Sequence, residues 1–172
     1  MKVDSISLRD YLGLTEQEYD AYLQTAPGVS FQELLDSQRK TQRFRVYQLD
    51  LEHGETRAFA FGGIDALHKA GFQQPPAAEY TLVYDGELTC PVGQDERDIL
   101  ERIFARYNQA FPPDYRGRSI APSDVLELYD ESERRYFYCD MAGFLQVKFS
   151  PALAKNCLLY TSPSPRDPQT SR

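Results

Sequence analysis

An α+β domain with a mainly antiparallel sheet is the fold this sequence predicts. Three observations lead to it. The hydrophobic period is helical in the first 40 residues and becomes two from Phe44 onward. The strand-like runs then mix with helical ones without regular βαβ alternation, which disfavours a parallel sheet. One helix-length apolar face stands between Gly93 and Pro112-Pro113. The expected body has one long and one short helix and is preceded by a small helical N-terminal segment.

Residues 1–40 read as that helical leader. Thr15 and Glu18 have the T-x-x-E spacing of a capping box, with Leu14 and Tyr19 placed to staple over it. The first helix covers EQEYDAYLQ and stops before Pro27-Gly28. Ser30 and Glu33 repeat the spacing and open a second short helix, FQELLDSQRK.

Residues 41–150 carry the α+β pattern. FRVYQLDL and TRAFAF read as two strands of a hairpin turned at His53-Gly54. GIDALHKAG is a short helix closed by Gly71. YTLVYDGEL is a strand after the break at Pro75-Pro76. Asp95, Glu96 and Asp98 suit the positive end of a helix dipole. Ile99, Leu100, Ile103, Phe104, Tyr107 and Phe111 follow on its apolar face. DVLELYD and RRYFYCD are strands joined at Glu131-Ser132-Glu133, and Ala142-Gly143 turns the chain into FLQVKF.

With 172 residues, 41% of them hydrophobic, the chain can bury a core without disulfides or metal. Its net charge of −7 is spread evenly with Arg interspersed. No basic stripe exists to hold phosphates, so direct nucleic-acid binding is not expected. The first residues, MKVDSISLRDYLG, lack a signal-peptide core, and no apolar run approaches membrane-spanning length. Cys90 and Cys139 form no C-x-x-C pair, so a reducing, cytoplasmic setting is expected and no zinc site is indicated.

Motifs of catalysis are missing. The sequence has no G-x-S-x-G, no phosphate-cradling G-x-x-x-x-G-K and no G-x-G-x-x-G. His53 and His68 fall at a turn and on a short helix, where a lone histidine is usually a surface residue. No cofactor, metal or catalytic residue is therefore expected. The unusual stretch is PPDYRGRSIAPSDV, Pro112 to Val125. Arg116 and Arg118 flank Gly117 and could admit an anionic group, with Asp114 and Asp124 near enough to neutralise them. Ser123-Asp124 can equally hydrogen-bond the loop's own backbone, and the residue types favour this structural use.

These residues carry a resemblance. The segment from about Phe44 to Val147 resembles the YodL-like domain, a small domain of bacterial proteins that are often encoded by conjugative elements. The matching residues are Tyr80-Thr81-Leu82-Val83-Tyr84, Tyr107-Asn108, Asp114-Tyr115-Arg116-Gly117-Arg118-Ser119 after the prolines, Ser123-Asp124-Val125, Tyr138-Cys139-Asp140 and Gly143-Phe144. Ala121-Pro122 departs from the family pattern, which more often has a Ser there. The resemblance implies a place in biology rather than a chemistry, because no general catalytic activity attaches to the family. The lack of any catalytic constellation, together with the aromatic-rich strands, leads to the expectation of a non-enzymatic accessory protein that binds a host or element-encoded protein. The candidate contact residues are Asp114, Tyr115, Arg116, Gly117, Arg118, Ser119, Asp124, Asp140, Gly143 and Phe144. The alternative suggested by the negative charge is an acidic DNA mimic that inhibits a host nuclease or other defence enzyme.

Residues 151–172 read as a disordered tail. Within it, CLLYTSPSPRD has no periodic pattern and resembles the translation of a transposase-fragmentation sequencing adapter. On that expectation residues from about 157 onward are foreign to the fold, and the natural C-terminus is not represented.

Overall fold

In the computed structural model of the protein, the described residues are Arg9, 13–24, Glu33, 36–52 and 54–158. They fall into two compact units, one drawn from 1–41 and 89–94, the other from 42–88 and 95–172. Helix α1 (Glu16–Gln24) belongs to the first unit. Its capping box is closed: the Thr15 N–H donates to Glu18 Oε2 at 2.8 Å, and the Glu18 N–H donates to Thr15 Oγ1 at 3.3 Å. Glu33, Asp36 and Ser37 are helical, and the rest of the expected second helix lies outside the described residues. Arg39 and Lys40, assigned to that helix from sequence, instead begin strand β1 (Arg39–Leu49).

The remaining elements are the single helical turn α2 (Gly54–Arg57), α3 (Ile64–Lys69), β2 (Tyr80–Pro91), α4 (Glu96–Gln109), β3 (Val125–Tyr129), β4 (Arg134–Asp140), β5 (Gly143–Val147) and β6 (Lys155–Asn156). The sheet order is β5-β4-β3-β1-β2-β6. Strands β1/β3, β3/β4 and β4/β5 pair antiparallel, whereas β6 pairs parallel to β2. Arg43–Glu87, Arg45–Asp85 and the Asp50 N–H on Glu79 O run β1 and β2 in opposite directions. The α+β class with a mainly antiparallel sheet is therefore what forms.

Three sequence expectations need correction. TRAFAF is no strand: Thr56 lies within the helical turn α2, its Oγ1 donating to Asp50 O at 2.7 Å, and the N–H groups of Phe59, Ala60 and Gly62 bond backward along the chain. Both sides of β1 are already occupied by β3 and β2, so a hairpin partner has no edge to join. His53 lies outside the described residues. Phe111 falls beyond α4 and is exposed, stacking on Tyr115 with ring centroids 5.2 Å apart. Residues 151–158 are ordered where a tail was expected, because a 3-10 turn (Pro151–Leu153) feeds β6 onto β2 and Leu158 packs against the core. Residues 159–172, the bulk of the adapter-like run, lie outside the described residues.

Residue parity assigns the two sheet faces. Phe44, Val46, Leu126, Leu128, Phe137, Cys139 and Phe144 share one face, which α4 covers. Ile99, Leu100, Ile103 and Tyr107 of α4 are buried, each contributing about 1.5–3 kcal/mol by leaving water. Tyr107 meets Phe44 edge-on at 5.5 Å, and Phe104 meets Phe144 at 6.2 Å. On the opposite face Tyr47, Val125 and Tyr138 pack with Phe59, Leu67 and Phe149. Helix α3 ends as its sequence requires: Gly71 at φ +93° lets the Phe72 N–H reach Leu67 O and the Gly71 N–H reach His68 O.

Candidate functional site

The loop from Pro112 to Asp124 connects α4 to β3, and its polar groups turn inward. Asp124 has no exposed surface. Arg118 grips its carboxylate with both ends of the guanidinium, Nη1 at 2.8 Å and Nη2 at 2.6 Å. The Ala121 N–H donates to it at 2.9 Å and Gln48 Nε2 at 3.2 Å. Burial pushes the Asp124 carboxyl above its ordinary value, and the charge and hydrogen bonds of Arg118, with the Ala121 and Gln48 donors, pull it back. Such pairs are costly to bury but far costlier to break.

Gln48 on β1 is the hub of the loop. Its Nε2 also donates to Arg118 O at 2.9 Å, and its Oε1 accepts the Arg118 N–H at 2.9 Å. Tyr115 OH closes the same turn by donating to Arg118 O at 2.7 Å. Gly117 sits where no side chain fits: a Cβ there would lie 2.6 Å from Gln48 Oε1 and 2.8 Å from both Tyr115 OH and Val83 Cγ2. Ser123, buried at φ +79°, holds the loop's far end. Its Oγ accepts the Phe61 N–H at 3.1 Å and its carbonyl accepts Tyr80 OH at 2.8 Å. Backbone bonds from Ser123 N–H to Cys139 O (2.9 Å) and Cys139 N–H to Asp124 O (2.8 Å) tie it to the end of β4.

Of the sequence-derived candidates, Tyr115, Gly117, Arg118 and Asp124 thus meet around Gln48. Asp114, Arg116 and Ser119 are exposed. Asp140 accepts the Ile64 N–H at 3.0 Å, anchoring the start of α3. Gly143, at φ +96°, makes the turn into β5, and half-buried Phe144 faces Phe104. Asp124 is held by Arg118 and Asp140 by the start of α3, whereas Asp114 is exposed. Among the described residues no group of three or more His, Cys, Asp or Glu is placed to hold a metal ion.

Sequence reasoning missed a second polar cluster. Glu127, central in the apolar strand VLELY, is fully buried on the face opposite α4. It accepts from Tyr47 OH at 2.8 Å, Arg134 Nη1 at 2.8 Å and Tyr136 OH at 3.4 Å, with Arg45 Nη1 3.6 Å away. Arg45 also binds Asp85 at 2.8 Å, and the guanidinium groups of Arg43, Arg45 and Arg134 lie 4.6–5.3 Å from the Tyr129 ring centre. The available signal was a glutamate inside an apolar strand, which must find partners when buried. Burial and the adjacent Glu127 carboxylate push the Tyr47 phenol up. Burial likewise pushes up the Tyr80, Tyr115 and Tyr138 phenols and the Cys139 thiol, which keeps these groups protonated near neutrality.

Fold and site together define a small α+β domain whose connecting loop is internally saturated. The chain matches the YodL-like domain over residues 43–149 and belongs to that family. No curated protein and no solved structure matches it. No helix among the described residues is long and apolar enough to cross a membrane.

Proposed function

We propose that this YodL-like domain is a non-enzymatic accessory protein of a bacterial mobile or conjugative element. On this reading it works in the cytoplasm by binding a host or element-encoded protein. The observation that carries the proposal is the exposed apolar turn after β4. Met141 in the turn is 70% exposed, and Leu145, 40% exposed, follows in β5 on the face opposite Phe144. The turn Asp140–Phe144 is the proposed contact surface, and the 113–124 loop is its support, through the Ser123, Asp124 and Cys139 backbone bonds. The polar side chains that chemistry would need are spent on structure: Asp124 on Arg118, Asp140 on the start of α3. The DNA-mimic alternative has less support, since Arg43, Arg97 and Arg135 pair with Glu87, Glu101 and Glu96 and break up any phosphate-like row.

Immobilised protein is expected to retain a specific partner from lysate of a bacterium carrying such an element. Retention should be lost in a Met141→Asp, Leu145→Asp variant and survive Asp114→Ala. Failure to retain any partner, or equal retention by the double variant, overturns the proposal.

A further inference from the structure

The two edges of the sheet are unequal. At one end β6 is two residues long, the kind of short strand that blunts an edge. At the other end β5, Gly143–Val147, pairs with β4 in unbroken register from Tyr136↔Val147 to Asp140↔Gly143. Among the described residues no strand lies beyond it. Its sequence, GFLQV, has no charge and no proline, and the register leaves no room for a bulge. None of the usual protections of an exposed edge is present within the strand.

A surface trough runs beside this edge, between β5 and α4. Its apolar floor is Leu100, Phe104, Phe137 and Phe144. Its walls carry four carboxylates, Asp95, Glu96, Glu101 and Asp140, of which two face a guanidinium, so two stand in excess. Arg135 reaches Glu96 from β4, and Arg97 binds Glu101 at 3.1 Å while both side chains remain mostly exposed. The trough is therefore apolar below and acidic at the rim, on a chain of net charge −7. Like charge opposes a second copy of the same protein at this surface, and a cationic occupant is favoured.

We infer that β5 accepts an extended, lysine- or arginine-bearing peptide segment of the partner as an added antiparallel or parallel strand. Main-chain hydrogen bonds to β5 hold it, alternate apolar side chains enter the trough against Phe144 and Phe104, and basic side chains meet the acidic rim. The inference rests on the protein-binding reading above and specifies its chemistry.

The test is selection of a random peptide library, about nine residues long to span the edge, on the immobilised full chain. Recovered sequences are expected to favour Lys and Arg over Asp and Glu. A synthesised hit should slow amide exchange in β5 and bind less tightly as salt is raised. Methylating its backbone nitrogens at alternate positions, or Glu101→Lys in the protein, should weaken it by about tenfold or more, equivalent to about 1.4 kcal/mol. Recovery of acidic peptides, protection elsewhere than β5, indifference to backbone methylation or self-association through β5 would each overturn the inference. So would an empty selection. If peptides fail while a cellular partner is still retained, only the strand-addition inference falls; if no partner is retained either, the protein-binding reading falls with it.

Discussion

Replacing Arg118 with Met is expected to destabilise the domain by about 3 kcal/mol. Loss of one member of a buried ion pair commonly costs about 3–5 kcal/mol, because the other charge stays behind without its partner. Here the charge left behind is Asp124, with no exposed surface. Two features set the cost at the low end. The Arg118 side chain is 29% exposed, so water can follow its removal, and the Ala121 N–H and Gln48 Nε2 still hold the carboxylate. At about 2–4 °C per kcal/mol for a chain of this size, the melting temperature should fall by about 6–12 °C. Arg118→Lys keeps the charge but loses the two-pronged grip, and should cost about half as much. Urea and thermal unfolding measure both, with exposed Arg116→Met as a control expected to stay within about 0.5 kcal/mol of the parent. An Arg118→Met variant equally close to the parent would refute the structural account of this loop and return Arg118 to the list of residues free to bind something.

Two further predictions follow from local geometry. Gly117→Ala forces a methyl group against Gln48, Tyr115 and Val83, and should destabilise by about 1–3 kcal/mol, read as a lower urea midpoint with an unchanged slope. In the α1 cap, hydrogen bonds from Thr15 hold the Glu18 carboxyl below its ordinary value of 4.5. Its folded value is thus depressed, so the stabilisation is present above pH 4.5 and disappears as pH falls through the folded value. Amide protection factors in α1, taken relative to the intrinsic exchange rate at each pH, should fall on acidification, and Glu18→Gln should flatten that fall; persistence of it in the variant would assign it to another group.

How much of this was legible beforehand follows from how far apart the interacting residues are. The α1 cap joins residues three apart, and the Asp130 bonds that shape the turn between β3 and β4 join residues two and three apart. The apolar face of α4 repeats within one helix, and the Gly71 stop bonds across five residues. Such features are settled by neighbours in the chain. The loop's saturation was half legible: Ser123-Asp124 was read as bonding its own backbone, and Asp124 does take the Ala121 N–H. Its central partner, Gln48, was invisible because it comes from 76 residues away.

By itself, then, the sequence determined the fold class, the α1 cap, the long helix and the strands of the β3–β4–β5 meander, because period and short-range hydrogen bonding act within a turn or two. Only the tertiary structure decided that TRAFAF cannot pair, since β2 and β3 flank β1 on either side. It also decided that Glu127 is buried beneath Tyr47, 80 residues distant, and that among the described residues β5 is the longer of the two edge strands. Those outcomes depend on which strand becomes whose neighbour, a choice made by the packing of the whole sheet and carried by no single segment.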